Sequence, residues 1–277
     1  MCLSVASLNS GSNGNCYYVE NENEAVLIDV GISCKEIDKR MTRLGLSPQK
    51  IKAVFITHEH ADHIYGLSAF VKKYQVPVYI TQKTFLQLTS VPVSLVHYFN
   101  TNDVITVGLL SVIAFPKLHD AEDPCSFIIT CNNTTVGVFT DIGFACSNVI
   151  HYFKQCHAAF LEANYDAEML QNGRYPLMLK RRISGGKGHL SNAQALELFL
   201  KHKPSFMSHL FLSHLSLNNN RPSIVEELFK ANADSVKIII ASRFKESELC
   251  AIKSGETALR VIYATQTTAR QLSFAFN

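Results

Sequence analysis

Thr57-His58-Glu59-His60-Ala61-Asp62-His63 decides how this chain reads. An apolar run, Ala53-Val54-Phe55-Ile56, leads into it, and Ile64, Leu67, Phe70, Val71 and Tyr74 recur behind it on one helical face. A strand therefore ends, and a helix begins, where three imidazoles and the Asp62 carboxylate project. His58 and His60 are one residue apart on extended chain and point the same way. Asp62 and His63 fall where the chain turns into the helix, facing a second position nearby. Neutral imidazole ligates zinc, manganese and iron, so the segment offers ligands to two neighbouring divalent ions. Two close metal ions most often serve hydrolysis.

One segment cannot surround two ions, so further ligands must come from elsewhere. Three candidates each lie just past a strand-like run: His119 in Lys117-Leu118-His119-Asp120, Asp141 in Thr140-Asp141-Ile142-Gly143, and His214 in Leu212-Ser213-His214-Leu215-Ser216. Strand-end loops are where a rigid scaffold presents functional groups. An Asp between two ions can bridge them with its two oxygens. His214, beyond the end of its apolar run, is preferred over His209 at the start of it. His97, His151, His157 and His202 have no supporting context and read as ordinary surface or buried residues.

The pattern around these sites is β-rich first and α/β later. Strands are expected at 3–8, 16–19, 25–30, 53–56, 76–80, 104–107, 110–115, 126–131, 135–140, 158–161, 209–212 and 236–240. Helices are expected from the Ser33/Glu36 capping box to about Gly45, behind His63, near 176–183, from the Ser191/Gln194 capping box to Lys201, and at 223–230. Tyr17 and Tyr18 read as strand neighbours, one facing in and one out. No linker or shift of composition divides the chain, so one domain spanning 1–277 is expected. Two β-sheets packed face to face with helices outside satisfy both halves.

Composition narrows the class. Apolar residues are 47% of 277, enough for a full core, and charged residues only 18%, which argues against disorder. A formal charge of +3 permits a nucleic-acid partner without demanding one. The N-terminus carries no basic leader ahead of an apolar stretch, and no run approaches membrane-spanning length. The eight cysteines are scattered with no C-x-x-C pair, so they read as reduced, mostly buried residues of a cytoplasmic protein.

His58-Glu59-His60-Ala61-Asp62-His63 followed in order by His119, Asp141 and His214 resembles the ligand set of the metallo-β-lactamase superfamily. That resemblance implies an α+β fold, the αβ/βα four-layer sandwich. It implies that His58, His60 and His119 hold one metal ion, that Asp62, His63 and His214 hold the other, and that Asp141 bridges them. The ions would be zinc or manganese, or iron. Ser7-Leu8-Asn9-Ser10-Gly11-Ser12-Asn13-Gly14-Asn15-Cys16, Leu161-Glu162-Ala163-Asn164, Gly188-His189-Leu190-Ser191-Asn192 and Ser213-His214-Leu215-Ser216 resemble the YycJ/WalJ-like proteins within it. That group is regarded as DNA-processing metallohydrolases with 5′-to-3′ exonuclease activity. The chain departs from it at Tyr165, where an Asn-His-Asp step is common, and the tail after Ser216 carries no matching motif.

Glu162 and His189 fall in the order of an acidic residue and a later His that flank the metals in the superfamily's phosphodiesterases. By that resemblance the catalytic residues are Asp62, orienting the water, and Glu162 with His189, the imidazole contacting phosphate or protonating the leaving oxygen. The partner implied is nucleic acid, DNA ahead of RNA. Lys180, Arg181, Arg182 and Lys187 could flank a polyanion track, and the small-residue loop 10–15 could approach a phosphate with free amides. The 73 positions from Asp141 to His214 are too few for a large inserted cap domain. Two rivals stand: a hydrolase of a small thioester, lactam or cyclic nucleotide, and a metal-stabilised binding protein without turnover.

Overall fold

A computed structural model describes residues 3–88 and 90–253. The expected domain 1–277 therefore extends at both termini beyond the described residues. The first sheet is built from β1 (Leu3–Asn9), β2 (Cys16–Glu20), β3 (Ala25–Ile28), β4 (Ile51–Phe55), β5 (Val78–Ile80), β6 (Val96–Tyr98) and the late β14 (Cys250–Ile252), in the order β14-β1-β2-β3-β4-β5-β6. The second holds β7 (Val104–Val107), β8 (Leu110–Pro116), β9 (Cys125–Cys131), β10 (Thr134–Phe139), β11 (Ala158–Glu162), β12 (His209–Ser213) and β13 (Lys237–Ile240), in the order β13-β12-β11-β10-β9-β8-β7. Each sheet is antiparallel on one side and parallel on the other. The runs β3-β4-β5-β6 and β10-β11-β12-β13 are parallel.

Alternation along the strands assigns each face to a separate core. Val5, Tyr17, Val26, Ile28 and Phe55 of the first sheet meet Val112, Phe127, Val138, Phe160 and Phe211 of the second. Phe55 and Phe127 contact edge to face at 5.5 Å across that seam. The outer face of the first sheet, with Tyr18, Leu27 and Val54, is covered by α1 (Cys34–Arg43) and α3 (Leu67–Tyr74) through Ile37, Met41, Phe70 and Val71. The outer face of the second is covered by α5 (Ser147–Phe153), α8 (Asn192–His202) and α9 (Pro222–Lys230) through Phe153, Phe199 and Phe229. The result is the expected αβ/βα four-layer sandwich.

Tyr17 and Tyr18 do face opposite ways, yet both are fully buried. A helix layer covers the side that sequence alternation alone leaves open. Of the short elements α2 (Ala61–Ile64), α4 (Gln82–Leu86), α6 (Ala167–Asn172) and α7 (Leu177–Ser184), α2 matters most here. It starts inside the histidine segment and turns Asp62 and His63 back over β4. Parallel β-structure gathers the C-terminal ends of β3, β4, β10, β11, β12 and β13 at one rim of the two sheets.

Candidate metal centre

Every residue singled out as a ligand from the sequence lies at that rim. His58, His60 and His119 bring ring nitrogens within 4.8 Å of one another, and so do the ligand atoms of Asp62, His63 and His214. Asp141 stands between the two groups. Its Oδ2 is 3.1 Å from His63 Nε2 and its Oδ1 is 3.7 Å from His119 Nε2. Glu59 takes no part; its Oε1 accepts the Glu122 amide at 2.9 Å.

Protein acceptors fix the tautomers of four of these imidazoles. Asp29 Oδ2 lies 2.6 Å from His63 Nδ1, and Gly188 O lies 3.1 Å from His119 Nδ1. Glu162 Oε1 lies 2.9 Å from His214 Nδ1. The Thr57 hydroxyl donates to Asp29 Oδ2 at 2.8 Å, so toward His58 Nδ1 at 2.9 Å it can only accept. Each Nδ1 thus carries a proton, and each Nε2 is turned toward the centre, where it offers a lone pair once the ring is neutral. A carboxylate or carbonyl behind the ring is the usual support of a ligating histidine.

These donors fit divalent cations on three counts. Ring nitrogens of His58, His60 and His119 crowd together, with His60 Nδ1 3.1 Å from His58 Nε2 and 3.3 Å from His119 Nε2. Asp141 Oδ2 is buried without a well-formed hydrogen bond, with His63 Nε2 beside it at 3.1 Å, and a buried carboxylate oxygen calls for positive charge there. The third count is charge. Desolvation and its neighbouring histidines hold His58 neutral, and desolvation takes His119 down to about 4. Against desolvation, the surrounding carboxylates raise His63 well above its ordinary value and His214 to about 10, Asp141 first in each case. Despite burial, Asp141 is held low by His214 and His63, and Glu162 by His189 and then His214. Protonated His63 and His214 are doing what bound cations would do, and metal binding would displace those protons.

Beside the two groups, His189 Nδ1 lies 2.7 Å from Glu162 Oε1. Glu162 is fully buried; its Oε2 accepts the amides of Ile142 and Leu190 at 2.7 and 3.2 Å. The His189 side chain is 20% exposed, and with Nδ1 on Glu162 its Nε2 is left for a substrate. Gly188 must be glycine: a Cβ there would lie 2.1 Å from the carbonyl of Ile183. That close approach docks the end of α7 beside His189. The basic run on α7 is largely exposed, and Arg182 is paired with Asp120.

The loop 10–15 departs from expectation. Its amides at Ser10, Gly11, Gly14 and Asn15 are already bonded within the protein, so four of its six amides are not open to a phosphate. It instead braces the centre. Ser10 Oγ accepts the His214 amide at 2.7 Å, and Asn15 Nδ2 donates to Asp62 Oδ2 at 3.2 Å. Asp29 was not foreseen, although it ends an apolar strand just as Asp141 does. Asp29, Asp141 and His214 all sit at positive φ, 61°, 56° and 56°. Non-glycine residues there are strained, a state that concentrates at functional sites. His209 lies away from the centre, its Nδ1 at 2.9 Å from Ser208 Oγ.

Comparison with known proteins gives four results. Residues 10–174 match the Metallo-beta-lactamase superfamily. The chain is 34% identical over 224 residues to exodeoxyribonuclease YycJ of Bacillus anthracis, covering 79% of this chain and 85% of that one. It is 31% identical over 219 residues to exodeoxyribonuclease WalJ of Streptococcus pneumoniae, covering 77% and 81%. The crystal structure of YhfI, a metallo-beta-lactamase fold protein from Bacillus subtilis, superposes with a TM-score of 0.68 over 89% of this chain and 99% of that one. At 17% identity that likeness concerns the fold alone.

Proposed function

The chain belongs to the metallo-β-lactamase superfamily of metal-dependent hydrolases, in the group of the YycJ and WalJ proteins, and we propose that it is a dinuclear phosphodiesterase acting on nucleic acid. The specific activity we propose is 5′-to-3′ exonuclease cleavage of DNA. His58, His60 and His119 would hold one divalent ion, Asp62, His63 and His214 the other, and Asp141 would bridge them; zinc and manganese both suit this donor set. When bound, the two ions supply a nucleophilic water at neutral pH and offset charge on a phosphoryl group.

The chain's own residues then divide the work. Asp62, with 23% of its side chain exposed, orients the attacking water. His189 faces the cleft with Nε2 and either contacts the phosphate or delivers a proton to the leaving oxygen. Glu162 reaches no solvent, so it is a positioning residue that acts through His189 and His214. The polypeptide works as one domain, in the cytoplasm, where the seven free cysteines among the described residues remain reduced. No helix among the described residues is long and apolar enough to cross a membrane.

The Glu162–His189 pair beside the two ligand groups carries this reading. Lactam or thioester hydrolysis has less need of an oriented imidazole at the departing oxygen. The names of the two relatives favour DNA over RNA. The test is incubation with end-labelled single- and double-stranded DNA and RNA, with manganese, with zinc and with chelator. Metal-dependent release of nucleotides from the 5′ end of DNA is expected. Protein that hydrolyses a generic bis-ester but leaves all four polymers intact would be a small-molecule hydrolase. Metal-loaded protein with no turnover would be a binding protein.

A further inference from the structure

Arg243 follows β13 at the rim that carries the metal centre, beyond every motif read in the sequence. Its guanidinium is half-buried and donates to Leu215 O, next to His214. It lies against the loop that braces Asp62: a Cβ on Gly11 would fall 2.8 Å from Nη2 and 3.1 Å from Cζ. The backbone on either side is tied to the same loop. Ser242 O accepts the Ser10 amide at 3.1 Å, and Arg243 O accepts Asn13 Nδ2 at 3.4 Å.

Among the described residues, the other arginines are paired or exposed. Arg40 meets Glu36, Arg43 meets Glu246 and Arg182 meets Asp120, while Arg174, Arg181 and Arg221 are exposed. Arg243 alone is drawn in without a carboxylate. Burial depresses its pKa. A guanidinium has five N–H donors in a fixed fork, and here one carbonyl engages it. A half-buried charge without a counter-charge is costly, and a planar fork beside a hydrolytic centre suits a phosphate.

We propose that Arg243 binds a backbone phosphate of the substrate adjacent to the one being hydrolysed, on the side of the centre formed by Asp62, His63 and His214. This rests on the nucleic-acid reading above and adds a residue that selects a polymer over a simple ester. A bis-ester such as bis(p-nitrophenyl) phosphate has no second phosphate and cannot use it.

The test compares wild type, Arg243→Gln and Arg243→Lys, each metal-loaded, on an oligodeoxynucleotide and on bis(p-nitrophenyl) phosphate over a range of salt. For Arg243→Gln, the loss in kcat/KM on the oligonucleotide should exceed that on the bis-ester by about tenfold or more, chiefly through KM. The slope of log KM against log salt should fall by about 1, the signature of one lost phosphate contact. Arg243→Lys should recover that slope and part of the affinity. Equal losses on both substrates, with a lower thermal midpoint, would make Arg243 a structural tie to Leu215 and overturn the proposal. So would an unchanged KM and slope. Wild-type protein that turns over the bis-ester and no polymer would overturn the nucleic-acid reading itself, and Arg243's role with it.

Discussion

His189 Nδ1 lies 2.7 Å from Glu162 Oε1, and the partner oxygen of that carboxylate is fastened by two backbone amides. The carboxylate cannot rotate without breaking those bonds. The imidazole is therefore held in one orientation, with Nδ1 committed to the carboxylate. A group that must meet a leaving oxygen needs this kind of fixed aim before its pKa matters.

Replacing His189 by Ala should lower kcat on a phosphodiester by roughly 10²–10⁴-fold, the usual contribution of a positioned acid or base. Bound metal, measured by elemental analysis, should remain at the wild-type level. Unaltered turnover would remove His189 from the reaction.

Glu162→Gln probes the same pair from behind. All four groups around Glu162 are donors: the Nδ1–H of His189 and His214, and the amides of Ile142 and Leu190. A carboxamide must turn its NH₂ toward two of them. The mismatch should cost about 1–3 kcal/mol of stability, the penalty for unsatisfied buried polar groups, and kcat should fall with it. A variant with wild-type kcat and wild-type urea midpoint would show that the carboxylate positions nothing.

Asp29 supports His63 in a parallel way. Its Oδ1 accepts the Thr57 amide at 2.9 Å while Oδ2 faces both Thr57 Oγ1 and His63 Nδ1. Asp29→Asn should weaken metal affinity by about 10–100-fold, as loss of such support does elsewhere. Competition against a chromogenic chelator measures it, and wild-type affinity would count against the role.

The convergence of these His and Asp side chains was legible because the pattern is written locally. Four donors at strand-to-helix spacing are hard to mistake, and His119, Asp141 and His214 each follow a strongly apolar strand. Asp29 carries the same local signal but stands alone, with no dense motif to lend it meaning. The short elements were missed for want of length. Ser147–Phe153 has too few residues to display a helical period, and Val96–Tyr98 is a half-exposed three-residue strand. Cys250–Ile252 pairs with Leu3–Val5 across almost the whole chain, a contact that nothing in local sequence announces. Amides of loop 10–15 looked free because their partners, Ser242 and Asp62 among them, lie far away in sequence.

Acid should weaken one pairing outside the centre. Arg40 is buried beneath Glu36, whose carboxyl its guanidinium hydrogen-bonds at 2.9 Å and holds below the ordinary value. The folded state thus favours the ionised form. That stability is present above the unfolded carboxylate pKa of about 4.3 and is lost as pH falls through the lower folded value. At neutral pH, Glu36→Gln should be less stable than wild type by about 1 kcal/mol or less, since the pair is part-exposed. In urea titrations the gap should shrink below about pH 4; a gap that widens in acid would contradict the assignment.

Metal removal offers the most direct check on the centre as a whole. Without cations, the fold gathers four carboxylates, Asp29, Asp62, Asp141 and Glu162, around His63 and His214, whose protonation they favour. Ions that bind the folded chain alone stabilise it by mass action, about 2.7 kcal/mol at a hundredfold excess over Kd. In a chain of this size that is roughly 5 °C or more in midpoint. A chelator should therefore lower the calorimetric midpoint, and zinc or manganese should restore it. Asp141→Asn should blunt the restoration and reduce the bound ions below two, because the residue between the groups loses one of its anionic oxygens. A midpoint indifferent to chelator and to added metal would mean that these converging side chains hold no ion at all.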